Sequence, residues 1–191
     1  MRKVLFLFGQ LNDDDVEWML ANGTKRTVPE QGVLIQQGVV SDSVFIVLEG
    51  RLAVWLKPRR GPEREIARLN AGEIVGEMSF VDARPPSATV RALEDSTVFS
   101  IPKPVLSAKL AADQGFAARF FRALAIFLST TVRERHQAIG FGSDLRPEEP
   151  GEEGEESEEE DDADELDVNV LDGVYLAGER FNRMVRRLIV S

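Results

Sequence analysis

The chain has 191 residues, enough for one domain of common size with additions. It has no cysteine and a single histidine, which excludes disulfides, thiol chemistry and cysteine-based zinc sites and suits a cytoplasmic protein. The net charge of −10 is local in origin: fourteen of the 33 acidic residues lie between Glu148 and Asp167, where no Lys or Arg occurs, so the rest of the chain holds 19 acids against 23 bases.

Residues 1–10 are short and apolar and are expected to pack onto the body. Arg2-Lys3 precedes an apolar run too short for a signal peptide, and no stretch approaches the ~20 apolar residues of a spanning helix. Asn12 is a good N-cap, with Asp15 three residues on and further acids in the first turn. Val16, Met19 and Leu20 then recur at helical spacing, and Asn22-Gly23 ends the element, so a helix is expected over 12–22. From Thr24 to Pro102 the pattern changes to short apolar runs broken by Gly, Pro, Asp and Asn. Val33–Ile35, Ser43–Leu48, Arg51–Leu56, Glu65–Leu69 and Ser96–Ile101 read as strands, with Glu49-Gly50 a tight hairpin turn. Such even spacing predicts a sandwich or barrel.

Residues 71–92 carry the densest local design. Two Gly-Glu pairs lead into one or two helical turns from Glu77 to about Asp82. Arg84-Pro85-Pro86 stops that helix, because proline lacks an N–H and biases the preceding residue to extended geometry. Ser87 to Ala92 then reads as a strand, with β-branched Thr89 and Val90. Backbone N–H groups left free at such a corner suit an anion.

Pro102-Lys103-Pro104 opens a helical region that extends over 103–138. A short helix from Val105 to Ala112 is followed by a long one, capped by Asp113 and running to about Arg135. Its apolar residues form two stripes: Phe116, Phe120, Ala123 and Phe127, and beside them Ala117, Phe121, Leu124, Leu128 and Thr131. Two stripes predict burial on two sides, and the heptad-like second one fits a partner helix. A homodimer through helix 114–135, with Phe121, Leu124 and Leu128 at its seam, is therefore expected. Residues 141–167 read as a disordered acidic linker, which also repels polyanions and argues against nucleic acid as a partner. Residues 168–191 form an amphipathic helix by pattern, with Leu171, Val174, Phe181, Met184, Val185, Leu188 and Ile189 on one face and four arginines around it. Three uses are open to it: docking on the domain, filling a partner's groove, or lying on an anionic membrane.

The 71–92 segment resembles the phosphate-binding cassette of cyclic nucleotide-binding domains, and Gln37-Gly38 through Gly50 is similar to their β-roll. The likeness spans about residues 12–136 and implies a mainly β fold: an antiparallel, jelly-roll-like β-roll over about 24–102 with flanking helices, as in stand-alone bacterial members and the catabolite-activator branch. It implies a domain over 1–140. Gly76-Glu77 falls on the family's Gly-Glu, whose glutamate meets the ribose 2′-hydroxyl, and Met78 and Ser79 follow within the same segment. Pro85 falls on its proline, and Ser87, Ala88 and Thr89 on the segment whose N–H groups meet the cyclic phosphate. Pro86 stands where binding members place the phosphate-neutralising arginine; Arg84, two positions earlier, is the substitute cation. Thr131 aligns with a threonine of the activator branch that meets the base. No helix-turn-helix pattern follows.

One His and no Cys cannot furnish the metal sites of cupin-like barrels, and no Ser-His-Asp set or Gly-Lys-Ser/Thr loop is present, so the chain reads as a non-enzyme without metal or cofactor. Two functions are then weighed. In one, the module binds cyclic AMP or cyclic GMP and transmits occupancy through its helices. In the other, the pocket is vestigial and the β-roll is a scaffold for a protein partner.

Overall fold

The computed structural model describes residues 4–138 and 168–189. The acidic run expected to be a linker over 141–167 lies outside the described residues. Helices α1 (Val4–Gln10) and α2 (Asp13–Asn22) come first. The start of α2 is a capping box: Asn12 Oδ1 accepts from the Asp15 N–H at 2.8 Å, and Asp15 Oδ2 accepts from the Asn12 N–H at 2.9 Å. Then come β1 (Thr24–Val28), β2 (Val33–Ile35), β3 (Ser43–Glu49), β4 (Leu52–Leu56), β5 (Arg64–Leu69) and β6 (Ile74–Val75). A short helix α3 (Glu77–Val81) precedes β7 (Thr89–Ala92) and β8 (Ser96–Pro102), and α4 (Lys103–Ala112), α5 (Gln114–Ala138) and α6 (Val168–Ile189) complete the order.

The strands form two four-stranded antiparallel sheets, ordered β1-β8-β3-β6 and β2-β7-β4-β5. This corrects the expected mainly β, jelly-roll-like β-roll. Each sheet is open, ending on edge strands rather than closing on itself, and the fold is mixed α/β. Helices outweigh strands, since α5 and α6 together are longer than all eight strands combined. Apolar runs reveal strands, but sheet closure depends on which edges pair, and that is a long-range matter.

The alternation along β3 explains its unbroken apolar sequence. Val44, Ile46 and Leu48 face a core shared with the helices, whereas Phe45 and Val47 face the space between the sheets. A strand buried on both sides needs no polar face. The first sheet is thus the middle layer, with the helices on one side and the second sheet on the other. Strand β1 was not among the expected strands. Only its Val28 is buried, as befits a polar edge strand.

Helix α5 buries Phe116, Phe120, Ala123 and Phe127 as its first stripe requires. Its second stripe divides: Leu124 is 3% exposed within the single chain, whereas Phe121 is 47% exposed. Residues Gln114–Arg133 are, by length and composition, long and apolar enough to cross a membrane, contrary to the expectation that no stretch would be. The phenylalanines it sends into the core mark it as a packing helix. Helix α6 docks on α1. Ala177 and Met184 are fully buried there, and the Phe181 ring lies 5.6 Å from that of Phe8. Arg180 donates to Asp13 at 2.7 Å and to the Phe8 carbonyl at 3.0 Å, Arg183 reaches Asp13 at 3.4 Å, and Arg187 pairs with Glu17. Docking on the domain is therefore the use seen for this helix.

Candidate functional site

Strand β6 delivers the chain to Gly76, with Val75 opposite Phe45 and Ile74 opposite Ile46. Gly76 has φ of 86°, and a Cβ there would lie 3.2 Å from Ile35 Cδ1 and 3.3 Å from the Ser43 carbonyl oxygen. Glycine supplies the left-handed geometry and the close approach together. Helix α3 starts at the next residue. The half-buried Glu77 carboxyl accepts from the N–H groups of Glu77, Met78 and Gly76. Burial nonetheless wins over those bonds and raises its pKa above the usual carboxylate value.

Met78 points outward, 55% exposed, while Ser79 is buried. The Ser79 hydroxyl lies 3.1 Å from the Gly76 carbonyl and accepts from Lys103 Nζ at 2.8 Å. Phe80 turns to α5, its ring edge-on to Phe120 at 6.3 Å. Past the helix, Asp82 Oδ1 accepts from the Arg84 N–H at 3.0 Å, and Ala83 takes a positive φ of 55°. The Arg84 side chain is 83% exposed, its Nε 3.9 Å from Asp82 Oδ2. The substitute cation thus leans on its own loop.

The Pro corner is held from the β2–β3 loop. The Gly38 N–H donates to the Pro86 carbonyl at 2.8 Å, and the Gln37 N–H donates to Thr89 Oγ1 at 3.1 Å. Gln37 also brackets Lys57 at the end of β4, its amide donating to the Lys57 carbonyl and accepting from the Lys57 N–H. Ser87 is exposed, while Ala88 and Thr89 are buried at the entry to β7. Among the described residues, none accepts from the N–H of Ser87 or of Ala88. Trp55 of β4 lies opposite Thr89, and the Arg91 guanidinium sits 5.7 Å from its ring while forking onto Glu63 at 2.8 and 3.0 Å.

Gly76, Glu77, Met78, Ser79, Arg84, Ser87, Ala88 and Thr89 therefore lie on one strand–helix–corner–strand unit. Thr131 does not join it by any hydrogen bond: its hydroxyl donates to the Phe127 carbonyl of its own helix at 2.9 Å, about three turns beyond Phe120. Lys103 escaped sequence reasoning, which treated it only as a helix start. The signal was its place between two prolines at a strand–helix junction. Among the described residues, no group of three or more His, Asp or Glu could hold a metal.

The family described as "Cyclic nucleotide-binding domain" matches residues 25–113. The cyclic AMP receptor protein of Thermus thermophilus is 30% identical over 95 residues, which is 50% of this chain and 44% of that protein. The chain thus spans less than half the length of this curated relative. The crystal structure of Thermus thermophilus catabolite activator protein superposes with a TM-score of 0.60 at 26% identity, covering 71% of this chain and 62% of that one. A cyclic nucleotide-binding domain from Methylobacillus flagellatus superposes with a TM-score of 0.66 at 22% identity, covering 72% and 80%, a likeness of fold. By sequence and by fold alike, residues 25–113 match the cyclic nucleotide-binding domain family.

Proposed function

We propose that residues 76–89 hold a cyclic nucleotide and that α4 and α5 read its occupancy. The family is a non-catalytic regulatory one, so binding rather than turnover is the activity. The observation that carries the proposal is the pair of backbone donors at Ser87 and Ala88, unengaged among the described residues and on the same unit as Glu77. In this reading those N–H groups meet the cyclic phosphate, Glu77 accepts from the ribose hydroxyl, and Ser87 and Thr131 approach the base. Cyclic AMP is the first ligand to test, since the Thermus relative is named for it; cyclic GMP is the second.

Pro86 withholds the arginine charge, and the 83% exposed Arg84 is a poor replacement. A charge-assisted contact contributes about 1.5–3 kcal/mol, or roughly 10- to 150-fold in affinity. Calorimetry should therefore find weak binding in the wild type and Pro86→Arg tighter by about that factor. Absence of heat from both proteins at millimolar nucleotide would refute the proposal. The second reading, a scaffold with a vestigial pocket, would then stand, and it is favoured by Pro86 itself.

Dimerisation through α5 would rest on fewer residues than its second apolar stripe contains, since Leu124 is buried within the single chain. Among the described residues, Phe121 and Val132, 47% and 50% exposed, are the large apolar side chains left outward on that helix.

A further inference from the structure

We infer that Lys103 is a positioning residue that couples the cassette helix α3 to the helical layer through the Ser79 hydroxyl. Its functional consequence rests on the ligand reading of residues 76–89, but the coupling itself does not. Lys103 opens α4 directly after β8. Its N–H donates to the Asp42 carbonyl at 2.7 Å, beside the paired residues Ser43 and Pro102, so its backbone is fixed to the first sheet. Its ammonium then reaches α3 and donates to Ser79 Oγ at 2.8 Å.

The chain of hydrogen bonds has one direction. An ammonium only donates, so the serine oxygen accepts and its own proton turns to the Gly76 carbonyl at 3.1 Å. Gly76 is the left-handed residue from which α3 and Glu77 start. Three groups thus join the first residue of α4 to the first turn of the cassette helix.

A lysine placed only for solubility would extend into water, where its charge is best solvated. Lys103 instead gives up solvation: burial lowers its pKa, against the pull of Asp42 and Asp82. A partly buried charge persists where its hydrogen bonds offset that cost. The second tie between α3 and the helices is apolar, Phe80 against Phe120. An aromatic edge contact tolerates sliding, whereas a charged hydrogen bond to a buried hydroxyl defines a position.

Two measurements test the coupling. The first needs no ligand. Amide hydrogen exchange over residues 77–82 is compared in wild type, Lys103→Met, Ser79→Ala, the double variant and Lys103→Arg. Each of the first two should exchange about 10-fold faster, as loss of one charge-assisted bond implies. The double should be no faster than either single, and Lys103→Arg should restore protection. Wild-type exchange in Lys103→Met, or a double variant that multiplies the single effects, overturns the inference. Should Lys103→Met not fold, Ser79→Ala and Lys103→Arg decide it alone.

The second measurement uses Trp18, whose ring lies 5.4 Å from that of Phe116 on α5 and 5.6 Å from Lys109 Nζ on α4. In a Trp55→Phe background it is the sole indole. Cyclic AMP and cyclic GMP are titrated while Trp18 emission and calorimetric heat are followed together. Lys103→Met should keep the heat and lose the emission change. An emission change equal to wild type overturns the coupling. If the wild type gives no heat, the ligand reading fails, and the exchange measurement by itself decides whether Lys103 positions α3.

Discussion

Arg180 is the residue through which the attachment of α6 can be tested most sharply. Its side chain is 14% exposed and bridges two elements, forking from the Asp13 carboxylate at 2.7 Å to the Phe8 carbonyl at 3.0 Å. Asp13 is 55% exposed, so the ion pair alone contributes about 0.2–1 kcal/mol. The bond from a charged donor to the Phe8 carbonyl adds about 1.5 kcal/mol, the low end for a charge-assisted bond. Arg180→Ala should then weaken α6 docking by about 2 kcal/mol, a roughly 30-fold rise in its opening. Met184 is fully buried in the same interface, and truncating a buried methionine to alanine typically costs about 2–5 kcal/mol. Met184→Ala should therefore open α6 further than Arg180→Ala does: apolar burial supplies most of the attachment, and the arginines set its register. Hydrogen exchange of residues 175–189 by mass spectrometry reads both variants as local opening. High salt should shrink the arginine effect and leave the methionine effect. The pH dependence has a definite sign. Hydrogen bonding to Arg180, then the charges of Arg180 and Arg183, lower the Asp13 pKa despite burial. Its stabilising share is therefore present above the usual carboxylate value and is lost as pH falls through the lowered one. Unchanged α6 exchange in Arg180→Ala, or an arginine effect larger than that of Met184→Ala, would refute this reasoning.

Two further outcomes are expected. Leu124→Glu should destabilise the single chain, lowering its thermal midpoint, because it places a charge at a site only 3% exposed; Phe121→Glu should leave the midpoint within a few degrees and, if α5 pairs between copies, shift the mass seen by light scattering. Glu77→Gln should gain thermal stability relative to wild type as pH rises from ~4, the ordinary glutamate value, toward neutrality. Burial raises the folded-state pKa of Glu77, so the folded chain holds the extra proton and wild-type stability declines through that window. A difference between the two proteins that is flat with pH would count against a buried carboxylate here.

Much of this protein is local chemistry and can be read along the chain. The Asn12 and Asp15 caps, the Asp113 carboxylate that accepts from the Phe116 N–H at 2.9 Å, and the turn at Gly50 with its φ of 86° each involve neighbours a few residues apart. The cassette is legible for the same reason, since Gly76 through Thr89 form one continuous stretch. What sequence could not reach depends on which distant segments meet. The two sheets stay open because of the edges that pair, and β1 is a strand by pairing with β8 rather than by its own alternation. Leu124 lies on a helical stripe suited equally to a second copy or to the chain's own helices, and its burial within the chain is a tertiary fact. Arg84 and Lys103 divide most clearly. The family resemblance nominated Arg84, which points away from the fold, whereas Lys103 is separated from Ser79 by two strands and becomes its partner only when β8 returns beside β3. Periodicity and capping are set by bonds that close within a few residues, whereas contacts between distant residues are chosen by how the layers pack.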